Sequence, residues 1–122
     1  MRTRNLRGLL AFALLPVVAG AATAGDAGRG KDVFQACVAC HGDRGGDLGP
    51  SLAGVVGRKA GSREDFRYSG PMSRAGFVWD EARLKAFIHE PQEVVRGTRM
   101  PFGGMDDARD IDDLVSYLAT LK

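Results

Sequence analysis

Cys37, Val38, Ala39, Cys40 and His41 place two thiols and an imidazole within five consecutive residues. A thiol can add to a vinyl group to make a thioether, and an imidazole nitrogen can bind iron. Cys-x-x-Cys-His is the attachment spacing of a c-type haem. One helical turn brings Cys37 and Cys40 to one edge of a porphyrin, and the next residue, His41, then lies under the iron. One covalently attached haem c is therefore the cofactor expected.

Other uses of this stretch fit less well. A thioredoxin-like redox motif needs a βαβ pattern, and no strand-like alternation flanks the cysteines. A four-ligand zinc site needs further Cys or His. The chain has no other Cys, and its only other His is His89. A disulfide across two intervening residues would constrain almost nothing.

Three helices are expected to position this motif. The first covers Ala27 to Ala39, with Val33 and Phe34 on the face of Cys37. Gly30 lies inside it, where glycine costs about 1 kcal/mol against alanine; a second helix crossing closely there would explain it. Trp79-Asp80-Glu81 opens the next helix, with Asp80 as N-cap and Leu84, Phe87 and Ile88 as the apolar face. Pro91 ends it, and Gln92 to Val95 suits one more turn. His89, near that end, reads as a solvated helix residue.

Asp106 is expected to begin the last helix, with Asp107 and Asp110 at its positive end. Ile111, Leu114, Val115, Leu118 and Leu121 form an apolar stripe at helical spacing, flanked by Tyr117. This helix is the natural one to cross Gly30. Between the helices, Gly42 to Gly76 is rich in glycine and proline and weakly periodic. So long a connection suits a functional wrap around one side of a flat cofactor. Within it, the Pro50 carbonyl is placed to accept a hydrogen bond from His41, fixing that ring and raising its donor strength.

Arg2, Arg4 and Arg7, the apolar run Leu9 to Ala22 and the small residues Ala22-Thr23-Ala24 make a secretory signal peptide over residues 1–24. The run is short for a membrane span and contains Pro16 and Gly20, so no stable membrane insertion is expected. Cleavage after Ala24 would leave one domain, residues 25–122, 98 of the 122 residues. That is near the low end of what a core alone holds together, and a buried haem would add apolar interior. The formal charge of +2 misleads. Residues 1–24 hold three of the 17 basic residues and no acid, leaving 14 basic against 15 acidic. A strongly basic nucleic-acid binder is not indicated.

Together these residues resemble a class I cytochrome c of the small bacterial c2 and c550 type, over essentially all of residues 25–122. The resemblance rests on Gly30, Phe34, Cys37, Cys40 and His41; on Gly49-Pro50, Leu52, Gly54 and Gly57-Arg58; on Phe66, Tyr68-Ser69 and Trp79; and on Gly97-Thr98-Arg99-Met100. It implies an all-α fold with the terminal helices crossing near Gly30, Phe34, Leu114 and Tyr117. It implies His41 and Met100 as axial ligands, and Arg58, Tyr68, Trp79 and Thr98 around buried propionates, which need donors. Four side chains outside the Cys-His motif could in principle fill the sixth position: Met72, Met100, Met105 and His89. Met100 matches the family's Gly-Thr-x-Met pattern, with Thr98 before it and Pro101 after it. Two positions depart from the family: Val94 stands where a tyrosine is common, and Arg96 where a proline often precedes Gly-Thr.

The function this implies is a soluble periplasmic carrier of single electrons, with both axial positions filled and redox proteins as partners. A monomer is expected. The alternatives are a haem enzyme or dedicated oxidoreductase subunit, which would need an open sixth position, and a haem-free module. Arg58 to Arg74 holds five basic residues and two acids, whereas Asp106 to Lys122 holds five acids and two bases. Such asymmetry can steer encounter with a partner.

Overall fold

A computed structural model describes residues 12–17, 24–42, 44–46 and 48–122. Most of the expected signal segment, residues 1–11 and 18–23, lies outside the described residues. Six helices follow in order: α1 Ala27–Val33, α2 Gln35–His41, α3 Gly70–Ser73, α4 Glu81–His89, α5 Pro91–Val94 and α6 Ala108–Leu118. Among the described residues there is no strand, only isolated bridges at Gly45–Pro50 and Lys59–Val78. The fold is all-α.

The crossing of α1 and α6 falls where glycine was expected to permit it. An added Cβ at Gly30 would overlap the Asp113 carbonyl and come within 2.8 Å of Tyr117 Cβ. One turn on, the Phe34 and Tyr117 rings pack tilted, with centroids 5.2 Å apart. The face of α6 that meets α1 and α4 buries Ile111, Leu114, Val115 and Leu118. Each such burial contributes about 1.5–3 kcal/mol relative to exposure. Asp113 is buried on the same helix. Its carboxylate accepts from the Asp26 N–H at 2.7 Å and from Arg29 Nη1 at 2.6 Å, while Arg29 Nη2 reaches Asp110 at 2.6 Å. The Asp26 N–H, with Arg29 beside it, holds the Asp113 carboxyl below the ordinary carboxylate range.

Two expectations change. The helix over Ala27 to Ala39 is two helices, α1 and α2, joined at Phe34. Phe34 keeps helical angles, φ −60° and ψ −19°, but Cys37 N–H bonds the Phe34 carbonyl three residues back. That tightened turn re-aims α2 while the Phe34 ring stays in the core, 5% exposed. The last helix begins at Ala108, not Asp106; Asp107 is its N-cap and accepts from the Asp110 N–H at 2.9 Å. The long connection has little regular structure, as expected; its one helix is the short α3, which Ser69 caps through the Met72 N–H. The start of α4 agrees with expectation, with Asp80 accepting from the Arg83 N–H at 2.7 Å. The turn expected over Gln92 to Val95 is α5, one residue earlier.

Gly30→Ala should lower the stability of the haem-loaded protein by about 2 kcal/mol, because overpacking against fixed backbone outweighs the gain in helix propensity. Thermal unfolding checks this: the midpoint should fall by about 8–16 °C, and an unchanged midpoint would contradict the close crossing.

Candidate functional site

The helices and the long connection enclose a cleft of about 630 Å3. Tight packing leaves few voids much larger than a water inside a domain, whereas cofactor sites run from about 300 to 1,000 Å3. Leu52, Val55, Leu84, Phe87, Ile88, Leu114 and Leu118 supply apolar wall. All nine residues singled out from the sequence line this cleft: Cys37, Cys40, His41, Pro50, Arg58, Tyr68, Trp79, Thr98 and Met100.

α2 brings Cys37, Cys40 and His41 to the wall. No disulfide joins Cys37 to Cys40. Burial, and then the neighbouring Cys40, push the Cys37 thiol up from its ordinary value. Among the described residues no group of three or more His, Cys, Asp or Glu is arranged to hold a metal, so a zinc-type cluster has no geometry here.

His41 Nδ1 lies 2.7 Å from the Pro50 carbonyl oxygen. A carbonyl only accepts, so Nδ1 carries the proton and donates, and Nε2 keeps its lone pair for a metal. Pro50 can come so close because Gly49 precedes it. An added Cβ at Gly49 would meet His41 Nδ1 at 2.8 Å, His41 Cε1 at 2.9 Å and the Cys40 carbonyl at 3.1 Å.

On another part of the wall, Arg58 donates to the Ala53 carbonyl at 2.9 Å and the Ser51 carbonyl at 3.1 Å. Burial lowers its pKa from the ordinary value, yet a guanidinium remains charged. Among the described residues it forms no ion pair with a carboxylate. A half-buried cation of this kind suits an acidic group on whatever fills the cleft. Trp79 is held by backbone pairing, its N–H donating to the Arg58 carbonyl at 2.8 Å and its carbonyl accepting from Gly57 at 2.7 Å. Its ring packs between Phe77 and Phe87, at 4.8 and 4.9 Å. A haem fits these residues: an apolar slot, two thiols on one helix, a tautomer-fixed imidazole and a half-buried cation.

Of the four candidates for the sixth ligand, Met72 and Met100 line the cleft, and Met105 and His89 are not among its lining residues. Met105 packs against the core, and His89 is engaged elsewhere, its Nδ1 2.9 Å from the Met105 carbonyl. The Met100 N–H lies 3.4 Å from Thr98 Oγ1.

Other residues of the site gave no signal in the sequence. Arg99 crosses to the connection and donates to the Arg67 carbonyl at 2.7 Å. Gln92 holds the turn before Met100 through both ends of its amide. The charge asymmetry read from the sequence is also partly spent within the fold. Arg58 is half-buried and Arg63 pairs with Asp65, while Asp110 and Asp113 pair with Arg29 and Asp112 pairs with Lys85.

An all-α chain closed around such a slot, with paired thiols and a fixed imidazole on one helix, is a c-type haem fold. Residues 27–122 match the cytochrome c family, and the chain belongs to it. It is 45% identical to cytochrome c2 of Rhodoblastus acidophilus over 103 residues, covering 81% of this chain and 95% of that one. It is 38% identical to cytochrome c-554 of Methylosinus trichosporium over 123 residues, covering 98% and 93%. Cytochrome cH from Methylobacterium extorquens superposes with a TM-score of 0.76 at 40% identity, covering 79% of this chain and 99% of that structure. The chain accordingly carries one covalently attached c-type haem and acts in electron transport.

Gly49→Ala should press on His41 and loosen its bond to Pro50, lowering the stability of the haem-loaded protein by about 1–3 kcal/mol. Gly46→Ala is the control, since an added Cβ there meets nothing within 4 Å, and should stay within about 0.5 kcal/mol of the parent. Equal denaturation midpoints for the two variants would contradict the close approach.

Proposed function

We propose that the chain is a soluble periplasmic carrier of single electrons, that residues 1–24 are its signal peptide, and that residues 25–122 are its working domain. In this reading Cys37 and Cys40 hold the haem through thioethers, and His41 and Met100 are its axial ligands. The observation that carries it is the His41–Pro50 hydrogen bond at the wall of a cleft that Met100 also lines. The haem, when bound, supplies a reversible ferrous–ferric couple. Among the described residues no helix is long and apolar enough to cross a membrane.

The chain's own residues then have distinct tasks. His41 donates its Nδ1 proton to Pro50, which fixes the ring and enriches Nε2 as a donor. Met100 offers a thioether, which favours ferrous iron over what two nitrogen ligands would give. Arg58, Tyr68, Trp79 and Thr98 offer donors to the propionates. The apolar wall excludes water and so limits the reorganisation that a change of charge demands. With His41 and Met100 both holding the iron, no open position would remain for oxygen or a substrate, which suits a carrier rather than an enzyme.

Met100→Ala tests the ligand set. The variant should lose the weak far-red absorption of an iron–thioether bond, show a lower reduction potential, and bind cyanide or carbon monoxide that the parent excludes. Rapid binding of either ligand by the parent would instead mark an enzyme-like open site. A far-red band that survives in Met100→Ala and vanishes in Met72→Ala would move the ligand to Met72.

A further inference from the structure

The loop that carries Met100 runs from the end of α5 to the start of α6 and contains Gly97, Gly103 and Gly104. Three glycines make it conformationally loose, yet one of its side chains must hold a fixed place. We propose that Gln92 is the positioning residue that holds this loop closed, acting on Met100 through the backbone of Gly97 and Thr98. The proposal rests on Met100 being the sixth ligand and adds what keeps it there.

Gln92 sits on α5 and reaches forward along the chain. Its Oε1 accepts from the Gly97 N–H at 2.9 Å, and its Nε2 donates to the Thr98 carbonyl at 3.1 Å. A primary amide carries a donor and an acceptor on one planar end, so it can grip both outward groups of this two-residue turn at once. An exposed glutamine loses rotamer freedom when fixed, and two simultaneous bonds are what offset that loss. Gly97 has φ +86°, and an added Cβ would lie 3.1 Å from Pro71 Cγ. The turn is thus held between Gln92 and α3. Arg96 stands immediately before it and, unlike proline, imposes no fixed φ. Without Gln92, the backbone bond from Thr98 N–H to the Val95 carbonyl, at 3.1 Å, is the tie left on the turn itself, beside the Arg99 side chain's bond to the Arg67 carbonyl at 2.7 Å.

The far end of the loop is tied to α4 independently. Met105 N–H bonds the Ile88 carbonyl at 3.0 Å, and His89 Nδ1 donates to the Met105 carbonyl at 2.9 Å. Gly104, at φ +106°, passes so close to the His89 carbonyl that an added Cβ would overlap it. Loosening the Gln92 end alone should therefore let Met100 leave its place while both loop ends and the helices remain.

Gln92→Leu removes both hydrogen bonds and keeps an apolar stem. In the haem-loaded ferric protein, cyanide should bind about tenfold more tightly than to the parent, as expected for the loss of two modest hydrogen bonds. The far-red band should persist at neutral pH, and the guanidinium midpoint of helix loss should move by far less than a tenfold change in the folding constant. Unchanged cyanide affinity would overturn the proposal. So would an equal shift in cyanide affinity and global unfolding, which would make Gln92 a support of the whole fold. Met100→Ala, measured alongside, separates the two claims. If that variant keeps the far-red band, the ligand assignment fails, and hydrogen exchange at the Gly97 amide decides the clasp by itself. Exchange about tenfold faster in Gln92→Leu supports it, and an unchanged rate rejects it.

Discussion

The approach of the Gly30 backbone to the Asp113 backbone sets the position of everything else. α1 cannot lie where it does with any side chain at residue 30, because the Asp113 carbonyl occupies that space. Once α1 is seated, the tightened turn at Phe34 directs α2, and α2 presents Cys37, Cys40 and His41 to the cleft. The partner helix supplies the opposite consequence. Its residues Leu114 and Leu118 are buried against the core and also line the same cleft. One contact therefore places both the attachment residues and part of the apolar wall.

Around that crossing, the chain spends its polar groups on fixing direction. The buried Asp113 carboxylate is satisfied by the Asp26 N–H and Arg29, which offset its desolvation and tie the entry of α1 to α6. The Pro50 carbonyl fixes the His41 tautomer. The Ser51 and Ala53 carbonyls hold Arg58 at the wall while leaving its charge uncompensated by any described carboxylate. For His41 and Arg58 a short loop segment rather than a helix supplies the orienting group. That explains why a connection with so little regular structure is retained.

Much of this was legible from residues alone. Cys37, Cys40 and His41 announce themselves by spacing, and Gly30 and the α6 stripe by helical period. Pro50 was legible because a carbonyl close behind the motif is what an imidazole needs. The break at Phe34 was not, because its angles remain helical and the change shows only in the hydrogen bonding, where the Cys37 N–H turns to the Phe34 carbonyl. Burial of Asp113 was hidden by the run of acids around it, whose pairing with Arg29 spans more than eighty residues. Gln92 carried no pattern at all: an exposed glutamine acquires meaning only when the turn it grips has been placed. The same distance limits the charge reading, since net charge along a segment cannot reveal which charges are paired across the fold.

The central claim is that this cleft is completed by one haem bound covalently through Cys37 and Cys40 in the exported chain. Intact mass spectrometry of the exported protein, in denaturing acid that strips non-covalent ligands, tests it most directly. The account predicts a single polypeptide with the mass of one haem added, and no haem in the solvent. A polypeptide at its unmodified mass, with haem released, would contradict it.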